Sequence, residues 1–202
     1  YREAIRIYPD YVKAHYNLAN ALADQGDLKG ATQQYQEVLR IQPDFPESHN
    51  DLGDVLAKQG RIREAIDHFY QVVQIDPSFV EARSNLGKAL VLQGELVEAI
   101  EHFRKVLELA SGPELQSQTH FDMGAALAKK GDLEVATSHF QQALKINPDF
   151  AEAYHYLGRV VAAQGDLNRA IGHFREALRI QPGFAQAHQS LGQALAYQCK
   201  TV

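Results

Sequence analysis

The chain has 202 residues, 45% hydrophobic and 22% charged, an ordinary globular balance with length enough for one core or a linear array. A net charge of -5 with neutral histidines lacks the clustered basic face of a nucleic-acid binder, so RNA and DNA are set aside. One cysteine, Cys199, excludes an internal disulfide framework, and no apolar run approaches the roughly 18 residues of a membrane span. The chain opens on Tyr1 with no signal-like segment, reads as an excerpt of something longer, and takes the cytoplasm as its default compartment.

Taken in chain order, residues 1–9 read as the second helix of a hairpin, closed by Pro9. Complete units follow over 12–45, 46–79, 80–116, 117–150 and 151–184, and 185–202 form a last helix, either a natural cap or a truncated unit. Their first helices carry Leu52-Gly53, Leu86-Gly87, Met123-Gly124, Leu157-Gly158 and Leu191-Gly192, with Leu18-Ala19 as a variant. The glycine steps from 53 through 87, 124, 158 and 192 are 34, 37, 34 and 34. Alanine stands twelve residues on, at Ala31, Ala65, Ala99, Ala136 and Ala170, and an aromatic four beyond that, at Tyr35, Phe69, Phe103, Phe140 and Phe174. Pro9, Pro43, Pro77, Pro148 and Pro182 close most units.

This pattern resembles the tetratricopeptide repeat (TPR), a helix-turn-helix unit of about 34 residues. The resemblance spans the whole chain and implies an all-α, right-handed superhelical solenoid of stacked hairpins. The residues agree. Tyr154, Leu157, Gly158 and Val161 fall on one apolar stripe. A mid-helix glycine costs about 1 kcal/mol against alanine, so its recurrence calls for close approach of a partner helix, with Phe174 between Ala170 and Ala177 the expected contact. Gly165 reads as a helix stop, Asp166, Asp27 and Asp132 as N-caps, and Glu95 and Arg61 as weaker caps.

Histidines recur at His68, His102, His139 and His173 before the aromatic, and at His15, His49, His120 and His188 early in first helices. Shared zinc needs nitrogens about 2.0–2.1 Å from the ion, whereas equivalent positions of neighbouring repeats are separated by roughly 8–10 Å. The histidines therefore read as copied packing residues, and no metal, cofactor or catalytic residue is expected. No glycine-rich phosphate loop or nucleophile with an adjacent base is evident, so the chain reads as non-catalytic.

By family resemblance the first helices line a concave groove that holds extended peptides or partner helices. The residues mapped there are Lys13, Tyr16, Asn17, Asn20, Glu47, Asn50, Asp51, Asp54, Ser84, Asn85, Lys88, Phe121, Asp122, His155, Tyr156 and Arg159, with Gln186, Gln189, Ser190, Gln193 and Tyr197 on the last helix. They lie off the Leu/Gly stripe and are expected to face solvent or ligand. The stretches NLANALADQGDL (17–28) and NLGKAL (85–90) are similar to the TPR arm of O-GlcNAc transferases, where an asparagine ladder holds the ligand backbone. Here the ladder reads Asn17, Asp51, Asn85, Asp122, Tyr156 and Ser190, so that likeness implies backbone clamping only in the N-terminal half. The carboxylate clamp of co-chaperone TPR domains is missing, since its lysine position holds Tyr16, Asn50 and Ser84.

Glu47, Asp51 and Asp54 form an acidic strip, read as a solvated face or a dock for a partner's Lys or Arg. Phe121, His155 and Tyr156 make a more aromatic region, either anchors or cover for neighbouring helices. The register breaks at ELASGPELQ (108–116), three residues longer than other junctions, with Gly112 as a stop and Pro113 in the next first turn. The leading expectation is a scaffold binding a protein segment in its groove. The alternatives are the substrate-recognition arm of a larger enzyme, such as a glycosyltransferase, and a homo-oligomer formed through faces that include Tyr1, Ile5, Tyr8, Leu191 and Leu195.

Overall fold

The computed structural model describes residues 1–200, and every regular element among them is an α-helix. In chain order these are α1 (Arg2–Ile7), α2 (Val12–Asp24), α3 (Leu28–Ile41), α4 (Pro46–Lys58), α5 (Ile62–Ile75), α6 (Val80–Gln93), α7 (Leu96–Leu109), α8 (Pro113–Lys130), α9 (Leu133–Ile146), α10 (Ala151–Ala163), α11 (Leu167–Ile180) and α12 (Ala185–Lys200). The chain divides within α7 into two compact bodies, Tyr1–His102 and Phe103–Val202.

Second helices of the hairpins bury a single stripe. In α5 it is Ala65, Ile66, Phe69 and Val72, and in α11 it is Ala170, Ile171, Phe174 and Ala177. First helices bury much more of their circumference. Ala151, Ala153, His155, Leu157, Gly158, Val160 and Val161 are all buried in α10, while Tyr154, expected on the stripe, is only half-buried. A helix apolar on most sides must be enclosed by several neighbours, and the contacts say which. In the N-terminal body α4 packs on α3 and α5 and also touches α2 and α6, whereas α3 and α5 do not meet. In the C-terminal body α10 touches α8, α9, α11 and α12, whereas α9 and α11 do not meet. Helices of the first kind therefore form the inner row of each body.

Within a hairpin the glycine provides the close approach. A Cβ added to Gly158 would stand 2.6 Å from the Phe174 ring and 3.2 Å from the Ala170 carbonyl oxygen. Gly165 adopts φ +93° in the α10–α11 turn, a left-handed conformation that an L side chain resists. Asp27 and Asp166 accept from the backbone N–H of Gly30 (2.9 Å) and Arg169 (3.0 Å), as N-caps do. Asp132 does not. It accepts instead from Lys130 Nζ at 2.5 Å and leaves α9 without a side-chain cap, and Arg61 makes no cap on α5 either.

The long junction resolves into helix. Pro113 is the first residue of an 18-residue α8, so the three extra residues lengthen its N-terminal end. Gly112 lies between α7 and α8 and is the extended N-cap of α8, with φ -94°.

Candidate functional site

On the inner row of the N-terminal body, polar side chains answer one another across repeats. Tyr16 Oη donates to Asp51 Oδ2 of the next repeat at 2.6 Å, and within one hairpin Tyr35 Oη of α3 donates to Asn20 Oδ1 at 2.6 Å. Burial, then that bond to Asp51, pushes the Tyr16 hydroxyl up to about 12. Burial also holds the Asp51 carboxyl above its ordinary value, although Tyr16 and Asn50 both donate to it. Asn85 Nδ2 donates to Asn50 Oδ1 at 3.2 Å, and Asn50 Nδ2 reaches Asp51 and Glu81 at 3.3 and 3.4 Å. Asp54 pairs with Lys58 at 2.5 Å, so the expected acidic strip is in part internally neutralised. Asn17 is half-buried, while Lys13, Glu47 and Lys88 are exposed.

Three of the expected surface residues are enclosed. Asn50 is 3% exposed, Ser84 5% and His155 4%. The cause is the wide burial of first helices, which covers the position one residue before the ladder. In Tyr16, Phe121 and His155 that position is a connector. Tyr16 lies against Tyr35 and Phe45 (ring centroids 6.0 and 5.2 Å), Phe121 against Phe140 and Phe150 (5.9 and 4.9 Å), and His155 against Phe174 and Phe184 (5.9 and 5.1 Å). Each therefore joins its own hairpin's aromatic to the aromatic that opens the next first helix, at Phe45, Phe150 or Phe184. Those junction aromatics recur in the sequence at Tyr11, Phe45, Phe79, Phe150 and Phe184, and this spacing is the signal for the connector role. Of the two roles open to Phe121 and His155, cover for neighbouring helices is the one the packing displays.

In the C-terminal body Asp122 accepts from Gln118 Nε2 at 3.0 Å, and Tyr156 packs edge-on to Phe121 at 5.2 Å. The Arg159 guanidinium is exposed and stands 5.4 Å from the Tyr156 ring centroid, a cation–π contact. A cavity of about 510 Å³ opens beside it, lined also by Phe174, Ser190, Gln193, Ala194 and Tyr197.

The histidines meet in pairs within a hairpin. His49 Nε2–H donates to Pro43 O at 2.8 Å, which leaves its Nδ1 as an acceptor for His68 Nδ1–H at 2.9 Å. His120 and His139 repeat the Nδ1 contact at 3.0 Å, and Gln34 stands opposite His15 at the same separation of 19 residues. That constant interval was legible in the sequence. Among the described residues no group of three or more His, Cys, Asp or Glu side chains gathers as a metal site would need.

The repeat geometry is matched by family models. Models described as "TPR repeat" match residues 19–60 and 53–94, and models described as "Tetratricopeptide repeat" match 1–33, 79–149 and 121–183. The chain belongs to the tetratricopeptide-repeat family. Among solved structures, this TPR chain is similar to YrrB, described as "a TPR protein with an unusual peptide-binding site", at 23% identity and TM-score 0.76, over 94% of this chain and 96% of that one. It is similar to MamA at 23% identity and TM-score 0.76, over 87% of this chain and 94% of that one. The APC/C hetero-tetramer Cut9–Hcn1 matches at 21% identity and TM-score 0.80, over 96% of this TPR chain but 38% of that one. At these identities the likeness is one of fold. Curated protein sequences give no match.

Proposed function

We propose that this TPR chain is a non-catalytic scaffold that binds a protein segment along the inner row of first helices. The observation that carries the reading is the division of labour on that row. Alternate positions are consumed in packing, while Lys13, Asn17, Glu47 and Asn85 remain half- to fully exposed on the consecutive first helices α2, α4 and α6 of the N-terminal body. An extended segment offers backbone amides at short, regular intervals, and a row of amides and charges suits it. YrrB's described peptide-binding site is consistent with such a use of the fold. The test is affinity capture from source-cell lysate with the chain and with a Lys13→Ala, Asn17→Ala, Asn85→Ala variant. Partners lost with the variant at unchanged helicity support the reading, and partners retained in full overturn it.

The recognition arm of a larger enzyme would use the same row and is decided by the parent gene's reading frame. A second reading, self-association, is favoured by the exposed apolar side chains of Tyr1 (61%), Ile7 (54%) and Tyr8 (67%) in and beside α1. A mass fixed at 22.5 kDa over a wide concentration range would remove it.

A further inference from the structure

The cavity on the C-terminal body combines an apolar floor with a rim of hydrogen-bond donors. Leu167, Phe174 and Ala194 make the floor, from α11 and α12, and Arg159, Ser190 and Gln193 stand at the rim. Arg159 is the one charged residue in that lining, and among the described residues no carboxylate pairs with it.

The state of Ser190 follows from its neighbour. His155 Nε2 lies 3.0 Å from Ser190 Oγ, while His155 Nδ1 is buried without a hydrogen-bond partner. Burial, with Arg159 nearby, holds His155 below its ordinary value, so the ring is neutral and carries one N–H. A buried N–H without a partner is rarer than an under-used acceptor, which places the proton on Nε2. His155 then donates to Ser190 Oγ, and the Ser190 O–H is left to donate in turn. The rim thus presents the Arg159 guanidinium, the Ser190 hydroxyl and the Gln193 amide, with no anion among the lining residues to receive them.

We propose that this cavity takes an acidic side chain lying next to an apolar one in an extended partner segment. The carboxylate accepts from Arg159 and Ser190, as charge-assisted bonds favour, and the apolar neighbour lies against Leu167, the half-exposed part of the floor. About 510 Å³ exceeds what a carboxylate alone fills, so the apolar residue belongs to the requirement. The inference rests on the scaffold reading and narrows it to a partner chemistry.

Two capped peptides of Gly and Ser, alike except for a central Phe-Glu or Phe-Gln pair, test it by NMR titration of the isotope-labelled chain. The Phe-Glu peptide is expected to shift the Ser190 and Gln193 signals saturably and to bind roughly tenfold more tightly than Phe-Gln. Arg159→Gln, at an exposed position, should abolish that preference, so that Phe-Glu and Phe-Gln bind the variant alike. Absence of saturable shifts, equal binding of the two peptides, or a preference that survives Arg159→Gln overturns the proposal. Lysate partners that depend on Lys13, Asn17 and Asn85 would in those cases still uphold the scaffold reading.

Discussion

Gly53, Gly124 and Gly158 stand where an added Cβ would come within 2.6, 2.9 and 2.6 Å of Phe69, Phe140 and Phe174. Those rings are buried, so displacing one disturbs the packing around it. Gly192 holds the same place in its helix, yet nothing lies within 4 Å of its Cβ position. The two cases should part in sign. Gly53→Ala or Gly158→Ala is expected to destabilise by about 1–3 kcal/mol through overpacking, despite better helix propensity. Gly192→Ala should raise stability by up to about 1 kcal/mol. Chemical denaturation of the three variants decides it, and a loss at Gly192 equal to that at Gly158 would refute the close-approach account. The glycine–phenylalanine contact was readable because its cost in a helix demanded a partner. The burial of Asn50, Ser84 and His155 was not, because one helix's periodicity does not tell how many neighbours surround it.

At the scale of the element, the turns between paired helices differ in how their first N–H groups are satisfied. Asp27 and Asp166 cap α3 and α11 directly, whereas Asp132 turns to Lys130 and leaves α9 uncapped by a side chain. Asp27→Ala and Asp166→Ala should each cost about 1 kcal/mol, and Asp132→Ala, which loses only an exposed ion pair, well under that. Equal losses at all three, read from urea midpoints, would contradict the observed bonding. The residue type predicted a cap at each site. The choice between a backbone N–H and a lysine two residues upstream depends on side-chain rotamer, which no spacing rule encodes. The long junction shows the same limit. Repeat spacing shows its three extra residues, but not whether they form loop or helix; they extend α8, with Pro113 in its first turn.

Across the molecule, the repeats have multiplied one titratable group in one kind of environment. His68, His102, His120, His139, His155 and His173 all have their protonation pushed below the ordinary 6.5, with burial the first cause in each. In the folded chain these rings stay neutral at pH values where the unfolded chain has begun to bind protons. Stability therefore is held above 6.5 and falls as pH drops from there toward the native values, each histidine adding to the slope. The salt-bridged Glu3, Glu64 and Glu108, lowered from 4.5, lose their contribution only further into acid. Asp51, raised from 3.8 by burial, has the opposite sign, gaining its proton earlier in the folded state as pH falls. One carboxyl against six imidazoles leaves the net direction unchanged. The denaturation midpoint is expected to fall between about pH 7.5 and about pH 5.5 at constant ionic strength. Gln34 already faces His15 as His68 faces His49, so glutamine fits the position. His68→Gln with His139→Gln should accordingly fold and show a shallower pH slope than the parent chain. A slope unchanged by the double substitution would mean that the paired rings do not carry the acid sensitivity.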